Sequence, residues 1–107
     1  MPSSKEFLDF VLEQVSGLGE VSYRPMMGEY VIYFRGKVVG GVYDDRFLVK
    51  ATGSALRLLE EEGIIAERDI PYPGAKEMLV ADIDDREITC RLIRAVESDL
   101  PAPKPKH

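Results

Sequence analysis

Apolar residues recur at helical spacing near both ends of the chain and at strand spacing between them. Phe7, Phe10, Val11, Val15 and Leu18 fall near one helical stripe, and Ser3 followed by Glu6 has the spacing of a capping box. This predicts a first helix from Ser4 to Ser16, ended by Gly17 and Gly19. Val21 to Arg24 reads as a short strand stopped by Pro25, which has no N–H to give a ladder and biases Arg24 toward extended geometry. The corner Met26-Met27-Gly28 follows. Glu29 to Arg35, Lys37 to Tyr43 and Arg46 to Ala51 are β-rich, and Gly36 and Asp44-Asp45 between them supply the turn chemistry of two consecutive hairpins. Alternation aims Tyr30, Ile32 and Phe34 at a core and Val31, Tyr33 and Arg35 at the other face.

Thr52-Gly53-Ser54 is a helix entry. Ala55, Leu56 and Leu59, with Glu60-Glu61-Glu62 outside, predict a short second helix ended by Gly63. Ile64 to Ile70 carries no clear pattern and is assigned as a connection. Pro73 and Gly74 suit the central positions of a type II turn, and Glu77 to Ile83 supplies a fifth strand. The last helix begins near Asp84, where Asp84 and Glu87 have cap spacing. It aims Ile88, Leu92, Ile93, Val96 and Leu100 at the core and ends before Pro101. The order is α-β-β-β-β-α-β-α, an α+β class with a five-stranded, mostly antiparallel sheet. Residues 1–100 form one domain, and 101–107, with alternating prolines and lysines, form a flexible tail.

Composition narrows the class without naming a chemistry. A chain of 107 residues is the size of one domain, and 45% hydrophobic with 31% charged residues is the make-up of a globular one. No apolar run approaches the roughly 18 residues of a membrane span, and the N-terminus lacks the pattern of a secretory signal, so a cytoplasmic location is expected. Cys90 is the only cysteine, which rules out an intrachain disulfide. The net charge of −5 argues against direct nucleic-acid binding. Between Val21 and Lys50 five basic residues face three acidic ones, a weak local patch.

Each candidate for chemistry has a plainer reading. Asp82, Asp84, Asp85 and Glu87 are dense in carboxylates, but they precede a helix, whose dipole favours them, and lack calcium-loop spacing. His107, the only histidine, ends the tail with no neighbours to hold it as a base or ligand. Cys90 lies at the edge of an apolar stripe with no activating histidine, as a structural thiol does. Gly36-Lys37-Val38-Val39-Gly40-Gly41 is followed by a strand where a phosphate loop needs a helix, and Gly40-Gly41 marks a bulge or a close backbone approach. Tyr33 and Tyr43 are sheet aromatics rather than an RNA-stacking platform. Neither catalysis, a cofactor nor a metal is expected.

Phe7-Leu8-Asp9-Phe10, the turn Met26-Met27-Gly28-Glu29-Tyr30, Asp44-Asp45 before Phe47-Leu48-Val49-Lys50, Tyr72-Pro73-Gly74-Ala75-Lys76 and the Leu100 to Lys106 tail together resemble the TfoX N-terminal domain family across essentially the whole chain. Met27 stands where the family more often carries phenylalanine. The family takes its name from competence regulators, also called Sxy, in which such a domain precedes a second, helical domain; this chain stops where that domain would begin. The resemblance implies a two-layer fold similar to secretion chaperones, with helices on one side of the sheet and Arg24, Val31, Tyr33 and Arg35 on an open face. It also implies a non-catalytic protein-interaction module, a transcription regulator or co-regulator, with a protein partner and a homodimer as expected assemblies. The expected contact residues are Arg24, Met26, Met27, Gly28, Glu29, Tyr30, Tyr33, Lys50, Tyr72, Pro73, Gly74 and Lys76. The alternative is a sensor of a small molecule or phosphate, in which Arg24, Lys50 and Lys76 converge on one pocket. A third, direct DNA binding, predicts affinity that falls steeply with salt.

Overall fold

A computed structural model describes residues 4–101 of the chain. The hydroxyl of Ser4 accepts the Phe7 N–H at 3.1 Å and starts helix α1 (Lys5–Gln14), one residue later than the Ser3 cap reading. A 3-10 turn over Ser16–Leu18, closed by Gly19 at φ 68°, ends it. Four strands then run up and down: β1 (Val21–Met26), β2 (Glu29–Phe34), β3 (Lys37–Tyr43) and β4 (Arg46–Lys50). The three links between them each have two residues of positive φ. These are Met27 at 52° with Gly28 at 85°, Arg35 at 54° with Gly36 at 80°, and Asp44 at 52° with Asp45 at 55°. Paired positive φ values are what a type I′ hairpin turn requires, because that turn matches the twist of its strands.

The Met26-Met27-Gly28 corner is therefore the first of three hairpin turns. β1 does not stop at Arg24. Pro25 lies within it, opposite Tyr30, and its missing N–H is tolerated because β1 is an edge strand.

Helix α2 (Gly53–Glu61) is capped by Thr52 and followed by Gly63 at φ 69°. Strands β5 (Arg68–Asp69) and β6 (Met78–Val80) then precede helix α3 (Arg86–Asp99), capped by Asp85. Among the described residues the sheet has six strands in the order β1-β2-β3-β4-β6-β5, every neighbouring pair antiparallel. The sequence pattern predicts five strands. The sixth is β5, two residues inside the segment assigned as a connection, too short to carry an alternating pattern. It pairs with β6 at Arg68 opposite Leu79, and an ion pair joins Asp69 to Arg46 of β4.

All three helices bury their apolar stripes against one face of the sheet. Leu8 and Val11 of α1, Leu59 of α2 and Leu92 and Ile93 of α3 meet Ile32, Phe34, Phe47, Val49 and Leu79 from the strands. Ile32 and Phe34 point inward as alternation requires, with Tyr30 at the margin. A register shift between Ile32 and Tyr33 leaves Val39 as the extra residue of a bulge, so that Val39 and Val42 both reach the core. Two contacts fix the helical layer at its ends. Lys37 Nζ lies 3.3 Å from Glu97 Oε1 and donates to the Leu100 carbonyl, and Asp99 accepts both the N–H and the hydroxyl of Ser54 at 2.8 Å.

The face away from the helices is less open than expected. Leu48, between the inward Phe47 and Val49, points to that side and is fully buried, and Val31 is buried as well. The loop before β6 reaches this face at Tyr43, whose ring meets that of Tyr72. Arg35 is not on it; in its turn it reaches Glu20 at 3.3 Å and Glu97 at 4.0 Å. Among the described residues no helix is long and apolar enough to cross a membrane. The expected tail lies, beyond Pro101, outside the described residues.

Candidate functional site

Two turns distant in sequence meet over the C-terminal end of β3. One is the β1–β2 hairpin turn. The other is the turn at Tyr72, where the Ala75 N–H donates to the Tyr72 carbonyl at 3.1 Å, with Pro73 and Gly74 between them and Gly74 at φ 88°. That is the type II geometry read from the sequence. Met26, Met27 and Glu29 from the first turn, and Pro71, Tyr72 and Pro73 from the second, wall a groove of about 820 Å³. Tyr43, Asp44 and Arg46 complete it.

Tyr43 is the hinge of this arrangement. Its ring lies on Gly41, two residues back on the same face; a Cβ at Gly41 would stand 2.6 Å from the ring and 2.7 Å from the Tyr30 carbonyl oxygen. Glycine is therefore needed for the ring to lie flat. The Tyr43 ring meets Tyr72 edge-on, centroids 6.4 Å apart at 62°. Burial pushes the Tyr43 hydroxyl above its ordinary pKa, with Tyr72 and Glu29 adding to the shift, so it stays a neutral donor.

The polar groups of the groove are held in place. Glu29 Oε2 accepts the Asp44 N–H at 2.6 Å, tying the first hairpin turn to the third. Arg46 donates from Nε to the Tyr43 carbonyl at 3.2 Å while its guanidinium pairs with Asp69. The apolar groups are not all packed. Met27 is 97% exposed, Met26 46% and Tyr72 56%. Met27 also stands in the left-handed region, which costs an L residue about 1 kcal/mol.

A second cavity of about 500 Å³ lies on the other side of the Tyr43–Tyr72 pair, lined by Lys50, Lys76, Val38 and Met78 and sharing Tyr43, Pro71 and Tyr72 with the groove. Of the three cations expected to converge, Lys50 and Lys76 do. Arg24 does not, because it sits on β1, three strands from Lys50 in the sheet order, about 14 Å at the usual strand spacing.

Of the expected contact residues, Met26, Met27, Gly28, Glu29, Tyr72 and Pro73 line the groove, while Lys50, Lys76 and Tyr72 line the second cavity. Gly74 supplies the turn. Arg24, Tyr30 and Tyr33 line neither. Tyr30 packs instead edge-on against Tyr23 at 5.8 Å. Sequence reasoning did not select Tyr43, Asp44, Arg46 and Pro71. The signal for Tyr43 was Gly41, a strand glycine that marks a close approach.

The other candidates for chemistry are occupied in structural roles. Asp82 Oδ1 accepts the Asp84 N–H at 3.1 Å, and Asp85 caps α3. Among the described residues there is no group of three metal-ligating side chains. Cys90 is half-buried, its thiol pushed up by burial against the opposing pull of Arg94 and Arg86, which disfavours the thiolate.

The TfoX N-terminal domain model matches residues 13–87, a span that holds both turns of the groove. An "Uncharacterized 12.7 kDa protein in trpE 5'region" of Spirochaeta aurantia is 35% identical over 108 residues, covering 99% of this chain and 90% of that one. The chain belongs to the TfoX N-terminal domain family.

Proposed function

We propose that this chain is a non-catalytic protein-interaction module acting in transcription control of the competence type, and that it meets its partner through the groove between the Met27 and Tyr72 turns. Membership of the TfoX N-terminal domain family supports the regulatory part of the reading. The observation that carries the site is Met27, a large apolar side chain held in solvent on a left-handed backbone. The hairpin accounts for the backbone at Met27 but not for an apolar side chain left almost wholly exposed among the described residues, whereas a flexible thioether beside two tyrosine rings and Pro73 suits a protein surface. The module makes no covalent change to its partner. It acts by occupancy, through the apolar side chains of Met26, Met27, Tyr72 and Pro73 that line the groove.

Complementation of a deletion strain tests this. The wild-type gene restores the transcript profile altered by the deletion, whereas Met27→Asp combined with Tyr72→Asp, folded as judged by circular dichroism, does not. Full restoration by that double variant contradicts the assignment of the groove.

A further inference from the structure

We propose that the cavity framed by Lys50, Lys76, Tyr43 and Tyr72 binds a small organic anion with a flat apolar body, an aryl carboxylate or an aryl phosphate. The inference does not rest on the partner groove, although the two share Tyr43, Pro71 and Tyr72, and it can fail without it. The cavity, at about 500 Å³, falls in the size range of small-ligand sites and has the composition such sites share, apolar walls with a few convergent polar groups. Two tyrosine rings, Pro71, Val38 and Met78 supply the apolar surface.

Lys50 approaches from the end of β4 and Lys76 from the loop before β6. Neither enters an ion pair among the described residues, in a chain whose net charge is −5. The one carboxylate in the lining, Glu77, faces Arg68 at 3.5 Å. Two lysines in the lining of one cavity make it attractive to an anion, which gains charge-assisted hydrogen bonds there. At the nearby N-terminus of α2 the Ser54 and Ala55 N–H groups are already taken by Asp99 and Thr52, so the anion draws on the lysines. Tyr72 sets the requirement for a flat body, because it is more than half exposed and meets the buried Tyr43 ring edge-on, which leaves its own ring surface open to stacking.

The test is a titration of the 15N-labelled full chain, followed by amide shifts, with benzoate, phenyl phosphate, inorganic phosphate and benzyl alcohol as probes. Benzoate or phenyl phosphate shifts the amides of Lys50, Tyr72, Ala75 and Lys76 saturably, and whichever binds tighter identifies the acid group. Inorganic phosphate and benzyl alcohol each bind at least about tenfold more weakly, and Lys50→Gln with Lys76→Gln weakens the favoured anion by at least about tenfold while leaving the thermal midpoint unchanged. The proposal is overturned by the absence of saturation with either aryl anion up to about 10 mM, a practical limit for a specific site. It is equally overturned by a double variant that binds as the wild type does, or by inorganic phosphate binding as well as phenyl phosphate.

Discussion

Met27 is held at φ 52° with its side chain almost wholly in water, while its neighbour Gly28 takes φ 85° at no steric cost. Asparagine is the residue that most favours the first central position of a type I′ turn. Met27→Asn is therefore expected to stabilise the protein by about 1 kcal/mol, read as a higher urea midpoint, while weakening partner capture. A lower midpoint would mean that the methionine packs in the fold, and the argument for its exposure would lapse. Gly28 and Pro73 of the groove, and Gly74 of the turn that carries it, are visible in the sequence through turn chemistry, because each announces its backbone geometry. Tyr43 is not, because a tyrosine in a strand reads the same whether it faces core, solvent or a groove.

The helical layer is joined end to end, since the C-terminal turn of α3 caps the N-terminus of α2 through Asp99 and Ser54. The backbone and hydroxyl bonds from Ser54 hold the Asp99 carboxyl below its ordinary pKa, with Thr52 and Arg57 contributing. A depressed carboxylate stabilises the fold fully above its unfolded pKa, and that contribution is lost as pH falls through the lowered folded value. Asp99→Ala should thus destabilise at pH 7, and the gap between variant and wild type should close as the pH falls below the normal carboxylate range. Urea melts across that range check it; a gap that widens on acidification contradicts the assignment. Element boundaries were legible where one residue type decides them, as at Gly63 and Thr52. They slipped by one at Ser3-Ser4 and Asp84-Asp85, where two capping residues stand side by side and only packing of Leu8 or Ile88 selects the phase. β5 was missed because two residues hold no period.

At the level of the whole molecule, the helices leave one sheet face that the loop before β6 reaches at Tyr43, and this loop lines both cavities at once. The α+β class, the hairpin meander and the inward row of Ile32 and Phe34 followed from periodicity, because each is local. The meeting of the Met27 and Tyr72 turns was not legible. It depends on β6 pairing with β4 and on the loop crossing back to β3, neither of which leaves a mark at the turns themselves. Arg24 failed to join Lys50 and Lys76 for the same reason, since strand order separates them.

The central claim is that the groove is where another macromolecule sits. A photo-crosslinking amino acid placed at Met27, and separately at Arg57 on the exposed side of α2, reads this in living cells. Discrete higher-mass adducts from position 27, lost when Tyr72→Asp is added and absent from position 57, are the predicted result. Adducts that are the same from both positions, or that persist without Tyr72, would contradict it.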